Sequence, residues 1–350
     1  MRKMFAFAMA AVMGLSLTAC GSSATSTEAE STTVSTVAES NSDAADTTAA
    51  TSVSSTDGQS YTVGICQLVQ HEALDAATQG FKDALTAALG DSVTFNEQNA
   101  QGDSNTCVTI INNFVSSDVD LILANATAAL QAAQAGTDTI PVLGTAVTEY
   151  GVALDLDNFD GTVGGNISGT SDLAPLDQQA AMIQELFPEA QNIGLLYCSA
   201  EPNSQYQVDT VKSYLEEMGY SCEYYAFSDS NDLSTICTQA ASNSDVIYIP
   251  TDNTAASNTE LINNICEPAG IPIVAGEEGI CAGCGVATLS ISYYDLGQAT
   301  GNMAVKILTG ESNISEMPIE YAPNFTKKYN KTIADSLGIN IPEGYEAIAE

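Results

Sequence analysis

Three strand-like runs of the sequence each end in a polar loop that opens a helical pattern. Thr127, Asn203 and Asp252 lie at these junctions. The side chain of Asp252 suits the ammonium group of a ligand, whereas the backbone N–H groups of a helix N-terminus suit a carboxylate. Each of the three residues also suits a simple helix cap, which would explain it without any ligand. Because the pattern recurs after five or six strands, we favour a ligand site over a set of unrelated caps.

Further polar loops follow other strand-like runs, at 66–71, 144–150 and 275–279. Ligands of open α/β sheets lie beyond the carboxyl ends of the strands, so these loops are predicted to face one cleft. Asp252 is the candidate partner of an ammonium group, and the helix starts at 125–128 and 203–204 are candidates for a carboxylate. His71 suits the mouth of the cleft and a helix cap equally well. The predicted ligand-binding residues are Gln67, His71, Asn125, Ala126, Thr127, Thr145, Ala146, Asn203, Ser204, Asp252, Asn253 and Glu277.

Alternating strand and helix patterns must position these loops. Alternation of this kind is typical of an α/β fold with parallel sheets that are covered on both faces. Apolar runs of strand length are predicted near 61–68, 92–98, 120–126, 140–147, 192–198, 221–227, 245–251, 272–276 and 285–291. Amphipathic helices are predicted at 72–89, 104–117, 127–136, 175–187, 204–219, 232–242, 254–269 and 293–309.

Nine strands divide naturally into two sheets, which predicts two Rossmann-like lobes joined by a three-segment hinge. The chain is predicted to cross between the lobes at 161–172, near 288–292 and near 320–326. These crossings assign 61–168 plus 292–322 to lobe 1 and 169–291 plus 323–350 to lobe 2.

The first 60 residues have the pattern of an export and anchoring segment. Residues 1–20 combine two basic residues, an apolar run and small residues, which is typical of a secretory signal peptide. The end of this run, "LTAC", resembles the bacterial lipoprotein box, which implies cleavage before Cys20 and lipid on its sulfur. An ordinary signal peptide with a chance cysteine is the alternative. Residues 21–60 are mostly Ser, Thr and Ala, with six acidic and no basic residues, which predicts a disordered tether.

Several motifs together resemble one protein family and follow its order across 61–345. They are "GICQLVQHEALDAATQGFKDAL", "NAQGD", "LILANATAALQAA", "IPVLGTAVT", "GGNISGTSD", "YCSAEPNSQYQ", "YIPTDNTAAS" and "YYDLGQATGNMAVKILTGE". The sequence thereby resembles the substrate-binding lipoproteins of ABC transporters, of the type that binds tryptophan or another aromatic amino acid. The resemblance implies the type I periplasmic-binding-protein fold, and delivery of a small molecule to a permease and its ATPase. Glu149-Tyr150 departs from the Asp-Pro that relatives often carry, which bears on the ligand rather than on the fold.

The charge balance narrows the class of ligand. After position 20 the chain has no arginine and six lysines, none of which lies in a predicted cleft loop. A phosphate, sulfate or dicarboxylate site usually needs such a cation, and 44 acidic residues would repel nucleic acid. A zwitterion fits the residues present, with helix N-termini for its carboxylate, Asp252 for its amine, and Tyr150, Tyr206 and Tyr293 near the loops. The acidity also admits a purely cationic amine beside Asp252 and Glu277.

Catalytic and metal chemistry is not favoured. His71 is the single histidine, no G-x-S-x-G elbow is present, and no phosphate-binding glycine loop follows the first strand. The "CAGC" motif at 281–284 is predicted to lie in a Gly-rich turn with free thiols or a local disulfide, because a zinc site would need a second such pair. Cys66 and Cys198 lie in strand-like runs, where a free cysteine behaves as a small hydrophobe. No enzyme activity, metal or cofactor is predicted.

The expected function is therefore that of a solute-binding protein of an ABC importer, anchored by Cys20 on the outer face of the cytoplasmic membrane. It is expected to act as a monomer and to close its two lobes over a small zwitterion such as an aromatic amino acid. A cationic amine is the alternative ligand. A surface receptor that presents its ligand to a sensor without transport has the same sequence features.

Overall fold

The computed structural model describes residues 59–349. The predicted signal peptide, the lipidation at Cys20 and nearly all of the predicted tether lie outside these residues. Within 59–349, the strands are β1 Tyr61–Gln67, β2 Val93–Asn99, β3 Leu121–Asn125, β4 Val142–Val147, β5 Ile167–Ser171, β6 Asn192–Cys198, β7 Ser221–Phe227, β8 Val246–Ile249, β9 Ile273–Ala275, β10 Ala287–Ser290, β11 Glu320–Tyr321, β12 Thr326–Tyr329 and β13 Glu346–Ala347.

Helices alternate with strands over most of the chain, as the sequence patterns predict. Among the described residues they are α1 Glu72–Leu89, α2 Ser104–Ser116, α3 Thr127–Gly136, α4 Tyr150–Ala153, α5 Leu176–Leu186, α6 Pro202–Glu217, α7 Ser230–Asn243, α8 Asn253–Ala256, α9 Thr259–Cys266, α10 Glu278–Cys284, α11 Tyr293–Leu308 and α12 Lys331–Leu337. None of them combines the length and the hydropathy that a membrane span requires. The predicted helix 254–269 is divided into α8 and α9.

The strands form two sheets, which confirms the predicted two-lobed α/β fold. The first sheet has the order β11-β5-β4-β3-β1-β2, and all of its pairs are parallel. The second has the order β13-β12-β10-β9-β8-β6-β7 and is parallel except between β10 and β12. Below, lobe 1 means the first sheet with α1–α4 and α11, and lobe 2 means the second sheet with the other helices.

Register brings the carboxyl ends of the central strands of lobe 1 together. Gln67 of β1 lies opposite Asn125 of β3, and Asn125 lies opposite Thr145 of β4. The strands β3 and β4 are buried along their whole length, as expected for parallel strands with helices on both faces. The loops after these strands therefore start from one common edge of the sheet.

The first crossing begins later than predicted. Ile167–Ser171 forms strand β5 of the first sheet, so the prediction that 161–172 is a crossing is wrong for these five residues, and 169–171 belong to lobe 1. The sequence "ISGTS" has one large apolar side chain, so it lacks the usual signal of a buried strand. Its hydroxyls are nevertheless satisfied, since Ser168 donates to the carbonyl of Met317 and Ser171 to that of Thr148.

Within the described residues the chain passes between the sheets three times. After β5 it enters lobe 2, between β10 and α11 it returns to lobe 1, and between β11 and β12 it enters lobe 2 again. Helix α11 packs directly on α1, and the two backbones approach closely at glycines. A Cβ on Gly297 would lie 2.0 Å from the carbonyl oxygen of Ala77, and one on Gly80 would lie 2.1 Å from that of Tyr294. This contact holds the start of α11 firmly in lobe 1.

The "CAGC" motif lies in helix α10 rather than in the predicted Gly-rich turn. Glu277 caps this helix, and Ile280, Cys281 and Cys284 are buried in the core of lobe 2. Gly283 serves close packing, because a Cβ there would lie 2.3 Å from Thr259 Oγ1. The eight cysteines of the described region are free thiols.

Candidate functional site

A small cavity lies between the two lobes, beyond the carboxyl ends of the strands. Its volume is about 20 Å³, which is room for about one water molecule. A molecule of the size of an amino acid can therefore enter only when the lobes separate. The lining residues are His71, Ala73, Leu74, Ala146, Thr148 and Tyr293 from lobe 1, Asn203, Thr251, Asp252, Asn253, Ala256 and Glu277 from lobe 2, and Asp172 at the first crossing.

Two polar contacts join the lobes across this cavity. His71 Nε2 lies 3.1 Å from Asn253 Oδ1, and the hydroxyls of Thr148 and Thr251 lie 3.3 Å apart. Burial lowers the pKa of His71, against the opposing influence of Asn253 and two nearby carboxylates. Because these two contacts bridge the cavity, the described structure is closed.

Asp252 is a buried helix cap that also lines the cavity. Its Oδ1 accepts from the backbone N–H of Ala255 at 2.8 Å, in the first turn of α8. Its Oδ2 accepts from the backbone N–H of Cys198 at 2.6 Å, at the end of β6. Burial, and then the charge of Glu201, raise its pKa to about 8. The cap interpretation and the cleft interpretation of this residue are therefore both supported by its position.

The other carboxyl groups near α8 and α10 cap lobe 2 helices in the same way. Glu277 accepts from the N–H groups of Gly279 and Ile280, and burial raises its pKa to about 7. Glu201 accepts from the N–H groups and the side chains of Asn253 and Thr254. The starts of α8 and α10 thus already have bound carboxyl groups, whereas the start of α6 has no side-chain cap.

Two helix starts of lobe 1 at the cleft, those of α1 and α3, have no such caps. Neither His71, before α1, nor Ala126, before α3, makes a side-chain cap hydrogen bond. Ala126 has φ 90° and ψ 159°, and Ala146 after β4 has φ 51°. Such angles are strained for a residue with a Cβ. His71, Ala73 and Ala146 line the cavity, so an uncapped helix start and a strained loop face it from lobe 1.

Asp172 is the buried carboxyl group of this wall that lacks a full set of donors. Its Oδ2 accepts from the Tyr293 hydroxyl at 2.9 Å, whereas its Oδ1 has no hydrogen-bond partner among the described residues. Burial raises the pKa of Asp172, and the Tyr293 hydroxyl is the strongest of the effects that oppose this. The Thr148 hydroxyl also lowers the pKa of Asp172, and it lies 3.3 Å from the hydroxyl of Thr251 across the cleft.

No lysine or arginine of the described region lines this cavity. Five of the lysines form ion pairs with acidic side chains elsewhere: Lys82 with Glu97, Lys212 with Glu216, Lys327 with Glu185, Lys328 with Glu278, and Lys331 with Asp335. The wall therefore contains three buried carboxyl groups and no fixed positive charge.

A second interlobe cavity of about 290 Å³ lies next to the first, and Asn253 lines both. Leu68, Val69 and Ala128 line it from lobe 1, and Glu201 is among the residues that line it from lobe 2. Ala128 belongs to the first turn of α3, so the two uncapped helix starts of lobe 1 border one cavity each.

Comparison with known proteins identifies the family. Residues 62–350 match the family model described as "ABC transporter substrate binding protein". The chain belongs to this family. It is a family of solute-binding proteins, not of enzymes, and its members act outside the cytoplasm as components of ABC systems that bind small molecules. Within the described residues, no group of three or more His, Cys, Asp or Glu side chains is arranged to hold a metal ion.

Three relatives are informative about binding and about lobe closure. The tyrosine-binding protein of Clostridioides difficile is 36% identical over 263 residues, which cover 73% of this chain and 75% of that protein. A Streptococcus pneumoniae ABC domain in complex with L-Trp is 33% identical, with a TM-score of 0.78 over 83% of this chain and 100% of that one. The ligand-free, open structure of a Clostridium difficile substrate-binding protein is 35% identical, with a TM-score of 0.63 over 82% of this chain and 99% of that one.

The last two structures have nearly the same identity to this chain and nearly the same coverage. The L-Trp complex nevertheless has the higher TM-score, 0.78 against 0.63. The lobes of this chain are therefore arranged more like those of the L-Trp complex than like those of the open structure. This agrees with the His71–Asn253 and Thr148–Thr251 contacts across the cavity.

The structure brings half of the predicted site residues to the cavity wall. Those at the wall are His71, Ala146, Asn203, Asp252, Asn253 and Glu277. The others lie within a lobe behind it: Gln67, Asn125, Ala126, Thr127, Thr145 and Ser204. Gln67 and Asn125, for example, both hydrogen-bond with Thr78 of α1. Their roles in binding stay predictions.

The structure does not favour the predicted roles of one helix start, at 203–204, and of one aromatic ring, that of Tyr150. Asn203 and Ser204 lie beside Glu201 and Asp252, so this helix start does not suit a ligand carboxylate. The Tyr150 hydroxyl donates to the carbonyl of Thr170 inside lobe 1, so this ring does not line the cavity.

Sequence reasoning missed Asp172, Thr148 and Thr251 as residues of the cavity wall. Asp172 ends the motif "GGNISGTSD", so the signal was present as an acid at the end of a Gly- and Ser-rich segment. It was missed because β5 does not look like a strand, and the rule that sites follow strand ends was not applied there. Tyr293 was noted only as one of three available aromatic residues.

Proposed function

We propose that this substrate-binding protein captures an amino acid between its lobes and delivers it to the permease of an ABC importer. The observation that carries the proposal is the cavity wall, with three buried carboxyl groups and no lysine or arginine among the described residues. A buried anionic group is costly unless a positive partner approaches it. An ammonium group from a ligand is such a partner, whereas a phosphate or a dicarboxylate would add repulsion.

The ligand carboxylate has a separate place on the opposite wall. The N-terminus of α1 reaches the cavity through His71, Ala73 and Leu74, and no side chain caps it. The free N–H groups and the helix dipole of this 18-residue helix favour an anion at this point, although Glu72 and Asp75 in its first turn add negative charge nearby. An α-amino acid therefore suits the site with both of its charges, with its carboxylate at the start of α1 and its amine at a buried carboxyl group of the wall.

The proposed side chain of the ligand is aromatic. Support comes from the relatives, of which one is named a tyrosine-binding protein and another holds L-Trp. The first cavity is too small for a ring, but the adjoining one has about 290 Å³ and apolar contributions from Leu68, Val69 and Ala128. We expect the lobes to part, the ring to enter this second space, and the lobes then to close around the charged end.

Closure is the proposed signal to the permease and its ATPase. The His71–Asn253 and Thr148–Thr251 contacts form only when the lobes meet, so they define the closed state. The proposal includes an export signal at 1–20 and a lipid anchor on Cys20, which rest on the sequence pattern, and a monomeric protein at the outer face of the cytoplasmic membrane.

A cationic amine is the second candidate ligand, because three carboxyl groups outnumber one ammonium group. A thermal-shift experiment separates the two, with L-tyrosine, L-tryptophan, aliphatic amino acids, spermidine and choline as ligands. A ligand at 100 times its Kd stabilises the protein by about 2.7 kcal/mol. We expect shifts with aromatic amino acids. Shifts with spermidine or choline alone would replace the amino acid by a cation, and no shift with any amino acid would refute the proposal.

Transport is tested separately from binding. Uptake of the radiolabelled amino acid is compared in cells with and without the intact gene. Binding without any loss of uptake in the deletion strain would favour a receptor that presents its ligand to a sensor. Loss of membrane attachment in a Cys20→Ser variant tests the anchor.

A further inference from the structure

We propose that Asp172 is the residue that holds the ligand ammonium group, through its unpaired Oδ1, and that Asp252 acts as a structural cap. This inference rests on the proposed function, since it names the recognising group within that site. The ligand class it specifies is a protonated primary amine, so analogues without the amine should be rejected.

Hydrogen bonding distinguishes the three buried carboxyl groups of the wall. Asp252 accepts one backbone N–H on each oxygen, from Ala255 and Cys198. Glu277 also accepts one on each oxygen, from Gly279 and Ile280. Asp172 accepts only on Oδ2, from Tyr293, and its Oδ1 is buried without a partner in the described region.

An unsatisfied buried acceptor is unfavourable, and native proteins rarely retain one without a function. Asp172 is 5% exposed, so water from outside cannot serve its Oδ1 freely. A ligand ammonium group would supply the missing donor together with the missing positive charge. The same ligand atom placed at Asp252 or Glu277 would have to share oxygens that already accept strong bonds from helix N-termini.

The position of Asp172 in the chain links recognition to closure. Asp172 directly follows β5, where the chain first leaves lobe 1. Its partner Tyr293 is the first residue of α11, directly after the second crossing. The Asp172–Tyr293 hydrogen bond therefore joins two of the crossings, and α11 is held to α1 at Gly297 and Gly80.

Neighbouring bonds extend this link to the interlobe contacts. The Ser171 hydroxyl donates to the carbonyl of Thr148, and the Thr148 hydroxyl contacts Thr251 of lobe 2. An amine bound at Oδ1 thus lies at the base of the cleft, where the lobes are connected, rather than on one lobe alone.

The test uses four probes with the full chain: L-tyrosine and L-tryptophan, each paired with the acid that lacks the amine, 3-(4-hydroxyphenyl)propionate and indole-3-propionate. Affinities are measured by calorimetry for the wild type, Asp172→Asn and Asp252→Asn. In the wild type we expect the amino acid to bind at least about 100-fold more tightly than its amine-free partner, since a site built for a polar group rejects analogues that lack it. In Asp172→Asn this preference should fall to less than about 5-fold.

Asp252→Asn is the matched control, because it changes a carboxyl group of the same wall in the same way. It should keep most of the amine preference and lose stability instead, since the new amide N–H₂ faces backbone donors. A preference that survives in Asp172→Asn and disappears in Asp252→Asn would overturn the assignment and make Asp252 the ammonium partner.

The melting temperature of the unliganded protein shows whether Asp172 recognises the ligand or stabilises the fold. Unliganded Asp172→Asn should melt at or above the wild-type temperature, because it removes an unpaired buried carboxyl group and retains an acceptor for Tyr293. A melting temperature several degrees lower would instead indicate a structural residue. Tyr293→Phe gives an independent readout: we expect the amine preference to weaken by about 3- to 10-fold, and an unchanged preference in both variants would refute the proposal.

The two proposals fail in different ways. Wild-type binding of the amine-free acids as tightly as the amino acids would refute the role of Asp172 while amino acid capture stands. Binding of tyramine or spermidine but of no amino acid, with loss in Asp172→Asn, would support Asp172 and refute amino acid capture. Absence of binding by every amine would refute both.

Discussion

Two helices of lobe 2 and two helices of lobe 1 begin at the cleft in opposite ways. In lobe 2, α8 and α10 begin at buried carboxyl groups, Asp252 and Glu277, that accept their free N–H groups. In lobe 1, α1 and α3 begin at His71 and Ala126, and neither makes a side-chain cap bond. At the cleft, α8 and α10 therefore present capping carboxyl groups, whereas α1 and α3 present helix N–H groups without a side-chain cap. Under the proposed function, this difference would place the carboxylate of a zwitterion at the uncapped start of α1, and it leaves Asp172, at the base of the cleft, as the carboxyl group with a free oxygen for the amine.

Backbone strain shows the same asymmetry. The caps of lobe 2 have ordinary extended angles, with φ −119° for Asp252 and −150° for Glu277. In lobe 1, Ala126 and Ala146 have φ 90° and 51°. Residues held in such regions cost of order 1–3 kcal/mol each, and they concentrate at functional sites. Lobe 1 thus keeps strained residues near the cleft whose energetic cost ligand binding can offset. In lobe 2, the N–H groups at the starts of α8 and α10 already have carboxyl partners.

The largest effect on ligand affinity is expected from a charged side chain that caps the start of α1. His71→Asp should lower the affinity for L-tyrosine or L-tryptophan by at least about 100-fold, because the new carboxylate takes the helix N–H groups and repels that of the ligand. The unliganded protein should be at least as stable as the wild type, since an N-cap Asp contributes about 0.5–2 kcal/mol. Calorimetry and urea unfolding measure the two effects.

Two controls accompany this variant. His71→Ala removes the contact with Asn253 without adding charge, and it should cost only about 10-fold in affinity. Thr86→Asp adds the same charge at an exposed position of the same helix and should leave affinity unchanged. Equal losses in His71→Asp and His71→Ala would mean that the closing contact, and not the uncapped helix, explains the effect.

The acidic wall predicts an unusual pH dependence of the unliganded protein. Folding raises the pKa of Glu277 to about 7 and that of Asp252 to about 8, and it raises that of Asp172. The native state therefore binds more protons than the unfolded state between about pH 4 and 8, so stability falls as pH rises through this window. We expect the free energy of unfolding to be roughly 1–3 kcal/mol larger at pH 6 than at pH 8.

Neighbouring charges bear on this expectation. The lowered pKa of His71 makes the free energy of unfolding rise with pH below about pH 6.5. This single group opposes three acids whose raised pKa values have the opposite effect. The charged groups that face the three acids are Glu201, Glu72 and Glu278, the last paired with Lys328. Glu277→Gln should flatten the curve, and saturation with ligand should flatten it further because an ammonium group favours ionised acids. Stability that rises steadily from pH 6 to 8 would contradict the prediction.

The smallest effect tests the strain at lobe 1. Ala126→Gly should stabilise the unliganded protein by about 1 kcal/mol, because relief of the strain at φ 90° exceeds the greater entropy of glycine in the unfolded chain. The matched control is Ala135→Gly, at an exposed position inside α3, which should lose up to about 1 kcal/mol. Urea unfolding compares the two. Equal destabilisation by both would show that Ala126 is not strained.

The fold was predictable from local patterns because most strands and helices carry strong ones. The run 246–249 and the helix at 72–89 appear where the sequence places them. Strand β5 was not predictable, since Ser168 and Thr170 are buried only because partners from distant segments accept or share their hydroxyl protons. Helix α10 was mistaken for a turn because its glycines indicate flexibility locally, whereas in the fold Gly283 permits contact with Thr259.

The candidate site was predictable to the extent that it follows strand ends. Asp252, Asn253 and Glu277 were found in this way, and so was His71. Asp172 was not, because its importance depends on a bond that is missing at Oδ1 and on a partner, Tyr293, that is 121 residues away.

The order of residues along the chain was enough to establish two α/β lobes, a strongly acidic protein, and a cleft without arginine or lysine. Those properties depend on the periodicity of short stretches of sequence and on residue counts over the whole chain. Which carboxyl group lacks a donor, and which helix lacks a cap, depends on contacts between segments far apart in sequence. Asp252 and Asp172 are the same residue type in the sequence. In the folded chain, backbone N–H groups reach both oxygens of Asp252, whereas Oδ1 of Asp172 has no donor among the described residues. The difference arises because tertiary packing decides which donors lie near each carboxyl group.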